Sequence, residues 1–595
     1  MRVSLTAFRQ YFFRIELAHI SLIFAGLMWS LPFLYWYHAN PMTTFYQEWA
    51  AVVLGLCAMP LLAARRYWQQ PEIPRIVLLP IGLMLLVLLQ SALDKVAYFG
   101  QALLITQYLL WAALLIMLGQ RLREQLGLPA LATTLAAFLL LGAELNALVG
   151  VLQHYRWHTF FDAVVVVKMG STVYGNMAQP NHFADYITLG LISLGLLRMR
   201  WQMPAWQVAL LAVPLLFVLA LSGSRSSWLY LLCMAGMAFL WQRRDKSCLP
   251  LLHYCLLLVL GFVLMNGVVQ LPWFAAGTSA AQRLLEGGTG NSIRLYLWRE
   301  AWLILAQFPL LGAGFGQFAW QHFQLGPVLR STNITGLYNN AHNLVLQIAA
   351  EMGLAGLLIL LGALALWFWQ ARSAQRTVYH WWGYCLLAVL AIHSLLEYPL
   401  WYAYFLGVAA VTLGMLDNTT YRLELRGAGR WSVAAILLLG ALSMLQLRQG
   451  YRNLEGALAK MPASASDNDS RRAREGLLAL YGQPLLQPYA ELFMSSMLAV
   501  STDHLADRRA MNARAMHFIP IGTVAYREAL LLALSGEGAA AQLQMERAIW
   551  SYPGGFPQAH EELRALARED PAHFAILLEF ALQKYEERQR AVHIG

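Results

Sequence analysis

The sequence contains little charge and few cysteines for its length. Asp, Glu, Lys and Arg make up only 12% of its 595 residues, which is about half of their share in a typical soluble domain. Its 5 cysteines form no CxxC pair and fall in or beside apolar stretches, so they exclude a disulfide framework and a cysteine-rich zinc site. An HExxH motif is also absent, and the one Asp-x-Asp pair, Asp467 and Asp469, lies in a polar segment. We therefore predict no metal site and no cofactor.

Signals for nucleotide or nucleic-acid binding are weak. The glycine-rich stretch GGTGN (287–291) is not followed by the GK[ST] of a phosphate-binding loop, and LLGAGFGQF (310–318) is not specific on its own. The net charge of +10 comes from basic residues that lie mostly in short loops between apolar stretches. The sequence therefore predicts no nucleic-acid partner.

Long apolar stretches dominate the chain. Hydrophobic residues make up 59% of it, the mean hydropathy is +0.49, and 21 Trp and 26 Tyr suit long membrane–water interfaces. We predict 13 membrane spans, each about as long as a bilayer requires, although 226–241 is short. They are 16–37, 47–64, 76–93, 97–119, 129–152, 181–197, 205–221, 226–241, 249–270, 343–369, 380–396, 400–416 and 431–447. The first lacks an obvious cleavage site, so we expect it to be retained.

Basic residues predict the orientation of these spans. Alternate short loops contain 18 Lys and Arg residues, whereas the other short loops contain only 4. Because cytoplasmic loops are rich in Lys and Arg, we expect a cytoplasmic N-terminus, with His342 on the opposite side. The predicted regions are an N-terminal transmembrane region (1–270), a large external loop (271–341), a C-terminal transmembrane region (342–448) and an external helical domain (449–595).

The segment after 448 changes character. AYREALLLAL (525–534) and AAAQLQMERAIWSYPG (539–554) repeat apolar residues at helical spacing, with a glycine-containing turn between them. This pattern is similar to one helical hairpin of the tetratricopeptide kind, although three clear copies are not visible. We predict a small all-helical domain, with docking of a partner as a hypothesis.

The stretch YNNAHNLVLQIAAEMGLAG (338–356) places a histidine where a polar segment meets an apolar run. Its candidate site residues are Tyr338, His342 and Asn343. An imidazole at the mouth of a membrane helix has water on one side and low dielectric on the other, so it can accept a proton near neutral pH. The alternative is the polar start of a helix without a catalytic role.

A second polar cluster, YGNMAQPNHFADY (174–186), opens another apolar stretch. Its amides and imidazole could bind sugar hydroxyls, and the candidate site residues are Asn176, Gln179 and His182. The cluster also contains Asn181 and Asp185. The alternative is a polar cap on a helix that begins at Pro180. So many hydrogen-bonding groups at a membrane edge favour a binding site.

Two arginines are candidates for binding an anion. Arg225, in LSGSRSSW (221–228), has no acidic residue near it in sequence, and its planar guanidinium fits phosphate oxygens. Arg294 falls in the first turn of a predicted helix after GGTGN, where the helix N-terminus also favours an anion. The alternatives are an interfacial arginine that reaches lipid headgroups and an amphipathic surface helix.

A fourth cluster, HSLLEYPLWY (393–402), lies at the outer end of a predicted span. His393 and Glu397 are four residues apart, so their side chains are predicted to interact on one helical face. Glu397 and Tyr398 are candidate substrate-binding residues because they lie near the membrane boundary. The alternative is a structural polar pair.

These motifs, in this order and on one predicted side of the membrane, resemble the Wzy/O-antigen ligase (WaaL-like) superfamily of membrane glycosyltransferases. The resemblance rests on YGNMAQPNHFADY, SGSRSSW, the IRLYLW arginine and AHNLVLQIAAEMGLAG, and it covers essentially the whole chain. GNMAQPNH and the helical domain most resemble the PglL-type protein O-oligosaccharyltransferases. The resemblance implies an all-α, GT-C-like polytopic fold with about 12–13 transmembrane helices, a large periplasmic loop and a C-terminal, TPR-like periplasmic domain.

The resemblance also implies an activity in the bacterial inner membrane. A glycan would move en bloc from undecaprenyl pyrophosphate to Ser or Thr of pilin or another periplasmic protein, without a metal or a nucleotide sugar. By motif, His342 would be the essential histidine, and Arg225 and Arg294 would bind the pyrophosphate. Gln179 and Tyr398 would contact the substrate. Direct displacement would invert the anomeric centre.

Three other functions stay open. An O-antigen ligase would use the same donor with a lipid A-core acceptor, and a polymerase would extend the glycan. A transporter for lipid-linked sugar would line a path through the bilayer with the polar clusters. The helical domain favours a protein acceptor, and the common side of the clusters favours an enzyme.

Overall fold

The computed structural model describes residues 16–274, 293–332, 334–372, 376–423, 425–461 and 467–594. The GGTGN stretch, and Arg2, Arg9 and Arg14 among the basic residues that predict the orientation, lie outside these ranges. The described chain contains 23 α-helices and two short strands.

The first ten helices precede residue 274. They are α1 (Leu17–Met28), α2 (Leu31–Leu34), α3 (Phe45–Ala58), α4 (Leu78–Ala92), α5 (Phe99–Leu126), α6 (Leu128–Tyr155), α7 (Pro180–Trp201), α8 (Ala205–Leu221), α9 (Ser226–Arg244) and α10 (Leu249–Val268). The next six are α11 (Ile293–Gln307), α12 (Phe318–Leu329), α13 (Leu344–Ala371), α14 (Val378–Ser394), α15 (Ala403–Leu416) and α16 (Arg426–Leu458). The last seven are α17 (Asp467–Leu478), α18 (Gln487–Ser496), α19 (Leu505–Phe518), α20 (Gly522–Leu534), α21 (Gly538–Ser551), α22 (Phe556–Glu569) and α23 (Pro571–Ile594).

Helices occupy every predicted membrane span. Within the described residues, 8 helical segments are long and apolar enough to cross a membrane, and α8 and α15 are shorter apolar helices. This confirms the prediction of an all-α, multi-pass membrane protein. The number of spans, their orientation and the limits of the four regions stay predictions.

The chain divides into two compact units. The first contains the described parts of 1–81, 108–289 and 361–444, and the second contains those of 82–107, 290–360 and 445–595. In the first unit, α7 packs against α6, α8, α9 and α14. Every residue of α7 from His182 to Leu197 is buried. A helix that is covered on all sides needs no polar face, so α7 is the centre of this unit.

Glycines allow α5 and α15 to approach closely in the first unit. A Cβ atom added to Gly414 would lie 1.9 Å from the carbonyl oxygen of Ile116, and one added to Gly119 would lie 2.2 Å from that of Val411. Small residues permit this backbone contact between membrane helices. The same unit contains the two strands, β1 (Glu72–Pro74) and β2 (Thr420–Arg422), which pair antiparallel.

The second unit contains a sharp kink in α13. Gly353 has φ of 63° and ψ of −158°, which breaks the helix. The amides of Leu354 and Ala355 bond instead to the carbonyls of Pro309 and Leu310, at 2.8 and 3.1 Å. Pro309 and the first residue of the glycine-rich 310–318 stretch thus satisfy backbone groups that the kink exposes.

Paired helices form the C-terminal part of the second unit. α18 packs on α19, α20 on α21, and α22 on α23. The predicted hairpin is confirmed, since α20 and α21 are joined by a turn in which Gly536 has φ of 77°. The three successive pairs share one apolar core, and this repetition was not visible in the sequence because only one pair has a clear pattern.

Replacing Gly414 by Ala tests the close helix contact. The new Cβ would force α5 and α15 apart, and we expect a loss of about 1–3 kcal/mol in unfolding free energy, as for other overpacked cores. The thermal unfolding midpoint of the purified protein in detergent measures this loss. Gly236→Ala in α9 is the matched control, because nothing lies within 4 Å of its added Cβ; an equal loss in both variants would contradict the packing argument.

Candidate functional site

The first polar cluster, in the first unit, is built at the start of α7. Gln179 is the N-cap of this helix, and its side-chain oxygen accepts a hydrogen bond from the backbone N–H of His182 at 2.5 Å. Pro180 follows at the first helical position, which suits its fixed φ and missing N–H. The predicted Pro-started helix with a polar cap is therefore present, and the cap fixes where the next side chains, Asn181 and His182, emerge.

Asn181 connects three segments of this cluster. Its amide nitrogen donates to Glu397 Oε1 at 2.9 Å, and its amide oxygen accepts from the Ser224 hydroxyl at 2.9 Å. Glu397 lies just after α14 and is 6% exposed, and Ser224 lies just before α9 and is 1% exposed. The two hydrogen bonds place polar groups from three distant parts of the sequence together at helix ends.

Arg225 follows Ser224 directly and is exposed. It occupies the N-cap position of α9, next to the backbone N–H groups of that helix. It forms no ion pair with a carboxylate in the part of the chain that the structure describes. A guanidinium without a carboxylate partner, beside a helix N-terminus, is suited to binding an anion.

A buried Asp–His pair lies deeper in the first unit. His393 Nδ1 is 2.5 Å from Asp185 Oδ2, and the side chains are 1% and 0% exposed. The ring of His182 is near that of His393, with 5.2 Å between centroids, and contacts Tyr402 edge-on at 4.8 Å. The four-residue spacing predicts that His393 interacts with Glu397. The two side chains have different partners because α14 ends at Ser394, before Glu397.

Tyr398 and Tyr402 form the aromatic side of the cluster. Their rings stack with centroids 5.8 Å apart, and the ring of Tyr398 lies 6.4 Å from that of His182. Burial raises the pKa of Tyr398 above its ordinary value, so its hydroxyl stays protonated and can donate a hydrogen bond at neutral pH. The structure thus brings the predicted residues Gln179, His182, Glu397 and Tyr398 into one cluster.

Asn176 has a different environment. It is 2% exposed, and its amide nitrogen donates to the carbonyls of Leu34 and Val164 at 2.9 and 2.8 Å. Its amide oxygen accepts from the backbone N–H of Val166 at 3.0 Å. These contacts hold the loop before α7, so they support a structural role for Asn176, and its predicted contact with a sugar stays a prediction.

The second polar cluster, in the second unit, contains His342 at the start of α13. His342 has φ of 51°, in the left-handed region, and its N–H donates to Asn340 Oδ1 at 2.8 Å. Asn343 caps the helix, because its side-chain oxygen accepts from the N–H groups of Val345 and Leu346 at 3.1 and 3.2 Å. The half-buried imidazole therefore sits on a fixed turn at the helix mouth, as the sequence indicates.

The loop helix α11 packs beside this turn. Its residues Leu297, Ala301 and Ile304 share a small apolar core with Ala341, against which Tyr338 also packs. Arg294, in the first turn of α11, is half-buried. The structure thus places Arg294, Tyr338, His342 and Asn343 on elements of one packed region.

A buried Glu–His pair supports this region. His322 Nδ1 on α12 is 2.8 Å from Glu300 Oε2 on α11, and the side chains are 8% and 5% exposed. The ring of His322 contacts Tyr338 edge-on at 5.4 Å. This pair joins α11 to α12 and buttresses the tyrosine that precedes His342.

Three family models match different parts of the chain. One described as "O-Antigen ligase" matches 208–361, one described as "Protein glycosylation ligase" matches 173–197, and one described as "Virulence factor membrane-bound polymerase, C-terminal" matches 381–567. In these ranges the chain is similar to proteins of the Wzy/O-antigen ligase superfamily. The matched ranges include Gln179 and His182, then Arg225 and His342, and then Glu397.

Two curated proteins of Acinetobacter baylyi are similar to this chain. A general O-oligosaccharyltransferase is 25% identical over 448 residues, which cover 72% of this chain and 75% of the relative. A ComP-specific O-oligosaccharyltransferase is 24% identical over 233 residues, which cover 39% of this chain and 41% of the relative.

Several polar residues of the clusters were not among the predicted site residues. In the first unit they are Asn181, Ser224, Asp185, His393 and Tyr402, and in the second they are Glu300 and His322. The sequence feature that could have identified some of them is a titratable side chain inside an apolar run, as for Asp185. Within the described residues, no group of three or more His, Cys, Asp and Glu side chains could hold a metal ion.

Replacing Asn181 by Asp tests the bridge in the first polar cluster. The change removes the donor to Glu397 and sets two carboxylates at hydrogen-bonding distance, so we expect a loss of about 1–3 kcal/mol in unfolding free energy above neutral pH. The loss should shrink as pH falls, because the two carboxylates can then share a proton. Thermal unfolding across a pH series measures it. Asn181→Ala is the control, because its loss in unfolding free energy should not depend on pH. If the loss for Asn181→Asp is equally independent of pH, the bridge is disproved.

Proposed function

We propose that this chain is a protein O-oligosaccharyltransferase of the bacterial inner membrane. It would move a glycan en bloc from undecaprenyl pyrophosphate to Ser or Thr of pilin or other periplasmic proteins. The observation that supports this most directly is the "Protein glycosylation ligase" match at 173–197, because this range contains the loop and helix start that build the first polar cluster. That the chain is a glycosyltransferase rests on this match together with the two O-oligosaccharyltransferase relatives.

His342 is the proposed general base. It would take the proton from the acceptor hydroxyl while the hydroxyl oxygen forms a bond to the anomeric carbon. The bond from that carbon to the pyrophosphate oxygen breaks at the same time, and its electron pair leaves with undecaprenyl pyrophosphate. The left-handed turn and the Asn343 cap support this role, because they fix the imidazole where a polar segment meets an apolar helix.

Arg225 and Arg294 are the proposed ligands of the pyrophosphate. Each lies at the start of a helix, at the N-cap of α9 and in the first turn of α11, where backbone N–H groups add to the positive potential. Their guanidinium groups would stabilise the charge that develops on the departing phosphate oxygen. This arrangement needs no metal ion in the proposed mechanism.

The remaining cluster residues are proposed to bind the glycan or the acceptor. Glu397, held by Asn181, and the hydroxyl of Tyr398 offer an acceptor and a donor for sugar hydroxyls. Gln179, His182, Tyr338 and Asn343 complete the proposed substrate contacts, and Asn176 supports them from the loop before α7. In the proposed orientation the N-terminus is cytoplasmic, and the active site and C-terminal domain are periplasmic.

A polymerase is the second candidate, because the "membrane-bound polymerase, C-terminal" match covers 381–567. The donor chemistry would be the same, but the acceptor would be the sugar end of a second lipid-linked glycan. An O-antigen ligase, with a lipid A-core acceptor, is the third.

An assay with purified protein and lipid-linked oligosaccharide separates these functions. A pilin-type protein, lipid A-core and a second lipid-linked glycan would be offered side by side, with EDTA present. We expect glycan on the protein at a rate that EDTA does not change. Glycan on lipid A-core would identify a ligase, and lengthened lipid-linked glycan would identify a polymerase. No transfer to any of them by folded protein would contradict the glycosyltransferase assignment.

His342→Asn should reduce transfer by about 100-fold or more, in line with the loss of a general base. Asn tolerates the left-handed conformation but cannot accept the proton, so the turn stays intact. The turnover rate with saturating donor measures the effect. His504→Asn is the matched control, since His504 is also a left-handed histidine, with φ of 50°; near-normal transfer by His342→Asn would remove His342 as the base.

Arg225→Lys should lower kcat/KM for the lipid-linked donor by about 10- to 100-fold. Lys keeps the charge but loses the planar fork, and a charged hydrogen bond contributes about 1.5–3 kcal/mol. Arg156→Lys, at another exposed arginine of the first unit, serves as the control. Equal donor kinetics for Arg225→Lys and the unmodified protein would exclude a bidentate phosphate contact.

A further inference from the structure

A cavity of about 220 Å³ lies in the second unit, and none of the residues proposed to act in transfer lines it. Its walls come from α12, which lies in the predicted 271–341 loop, and from α19, α20 and α21, which belong to the first two helix pairs of the C-terminal part. The side chains that decide its chemistry are Trp320, His517, Glu528, Leu543, Gln544 and Arg547. None of the predictions above includes these residues.

One end of the cavity has an unsatisfied donor. The Nε atom of Arg547 is buried and has no hydrogen-bond partner among the described residues, and its guanidinium pairs with no carboxylate there. Burial lowers the pKa of Arg547, which reflects the cost of holding a charge in this environment. A buried donor without a partner is destabilising, so a ligand that brings an acceptor to Arg547 would remove this cost.

A hydrogen-bond acceptor, the carboxylate of Glu528, also lines the cavity. Glu528 Oε2 accepts a hydrogen bond from Asn512 at 2.5 Å, and a carboxylate can accept several more. Burial raises the pKa of Glu528. Glu528 and Arg547 form no ion pair with each other in the described structure, so each retains hydrogen-bonding capacity toward a ligand between them.

Apolar groups form most of the remaining wall. The indole of Trp320 packs against the imidazole of His517, with 4.3 Å between ring centroids, and burial lowers the pKa of His517, so this ring is mostly uncharged at neutral pH. Met516 and Leu532 are buried beside it, whereas Leu543 is 45% exposed. A cavity lined mainly by apolar groups, with one exposed leucine, can admit an apolar group from outside.

The ligand that fits has an apolar part and a neutral group that both donates and accepts. A peptide unit with an aliphatic or aromatic side chain meets this requirement, since its C=O can accept from Arg547 and its N–H can donate to Glu528. A sugar ring fits less well, because its hydroxyls would point in all directions against Met516 and Leu532. Stacked helix pairs also present surfaces that suit extended polypeptides.

We propose that this cavity is a docking site for the acceptor protein and takes one apolar side chain of an extended acceptor segment. Arg547 and Glu528 hold the peptide group of that residue, and Trp320 packs against its side chain. This proposal rests on the proposed function, because it identifies the docked polypeptide as the acceptor. It gives the C-terminal helix pairs a role in selecting acceptors.

Direct binding to the full-length protein in detergent tests the site without any transfer reaction. The probe is N-acetyl-leucinamide, a single apolar residue with two peptide groups, observed by saturation-transfer NMR. N-acetyl-lysinamide and N-acetylglucosamine are the comparison ligands. We expect binding of the leucine probe to the unmodified protein and about tenfold weaker binding to Leu543→Glu and to Arg547→Met, which each remove one part of the site.

Matched variants control for surface effects. Leu582→Glu changes a leucine of similar exposure, 40%, on α23, and Arg564→Met changes an exposed arginine on α22; both should bind the probe normally. The proposal is overturned if the leucine probe does not bind, if all four variants bind it equally, or if the sugar binds at this site in its place.

Transfer kinetics then connect the cavity to acceptor recognition. With a pilin-type acceptor that the unmodified protein glycosylates, Leu543→Glu should raise the acceptor KM about tenfold and leave kcat and the donor KM unchanged. An unchanged acceptor KM would overturn the acceptor role even if the probe binds. Absence of transfer by the unmodified protein would instead count against the proposed function, which the probe experiment does not require.

Discussion

The side-chain amide of Asn181 holds the first polar cluster together. Through one donor and one acceptor it fixes the carboxylate of Glu397 and the hydroxyl of Ser224, and hence the chain position of Arg225. In apolar surroundings a buried polar group without a partner costs about 1–3 kcal/mol, so the amide stabilises both groups by giving each a hydrogen bond. The positions of the charged residues Glu397 and Arg225 at these helix ends therefore depend on a neutral residue. Because the amide has both a donor and an acceptor, it can bridge a carboxylate and a hydroxyl without adding a further charge.

In the second polar cluster, hydrogen bonds between backbone groups hold distant segments together. At Gly353 the helical hydrogen bonds of α13 stop, and the carbonyls of Pro309 and Leu310 replace them. The loop region is thereby attached to the helix that begins beside His342. The buried pair Glu300–His322 attaches α11 to α12 in the same region. Through the backbone hydrogen bonds at the kink and this buried pair, the position of the imidazole depends on contacts several turns away from it.

Local features of the fold could be predicted from the sequence, whereas distant pairings could not. The cap at Gln179, the helix start at Asn343 and the hairpin of α20 and α21 each depend on a few adjacent residues, which leave a recognisable pattern. His393 and Asp185 are 208 residues apart, and no periodicity encodes such a contact. Asn176 illustrates a different difficulty. Its polar side chain indicates a contact with a sugar, but in the structure it forms hydrogen bonds with backbone groups of its own unit. A sequence does not indicate in which direction an amide points.

The left-handed backbone of His342 limits how this position can be altered. Bulky and β-branched side chains disfavour that conformation, whereas glycine adopts it freely. A glycine there would remove the whole ring and keep the turn, leaving an imidazole-shaped space at the mouth of α13. Small bases supplied in solution could enter that space. Under the proposed role of His342 as general base, the dependence of recovered turnover on their basicity would report how far the proton has moved in the transition state. The turn therefore makes this chain suited to chemical complementation, in which a small base replaces the missing ring. Such an experiment separates the chemistry of the imidazole from the backbone structure that positions it.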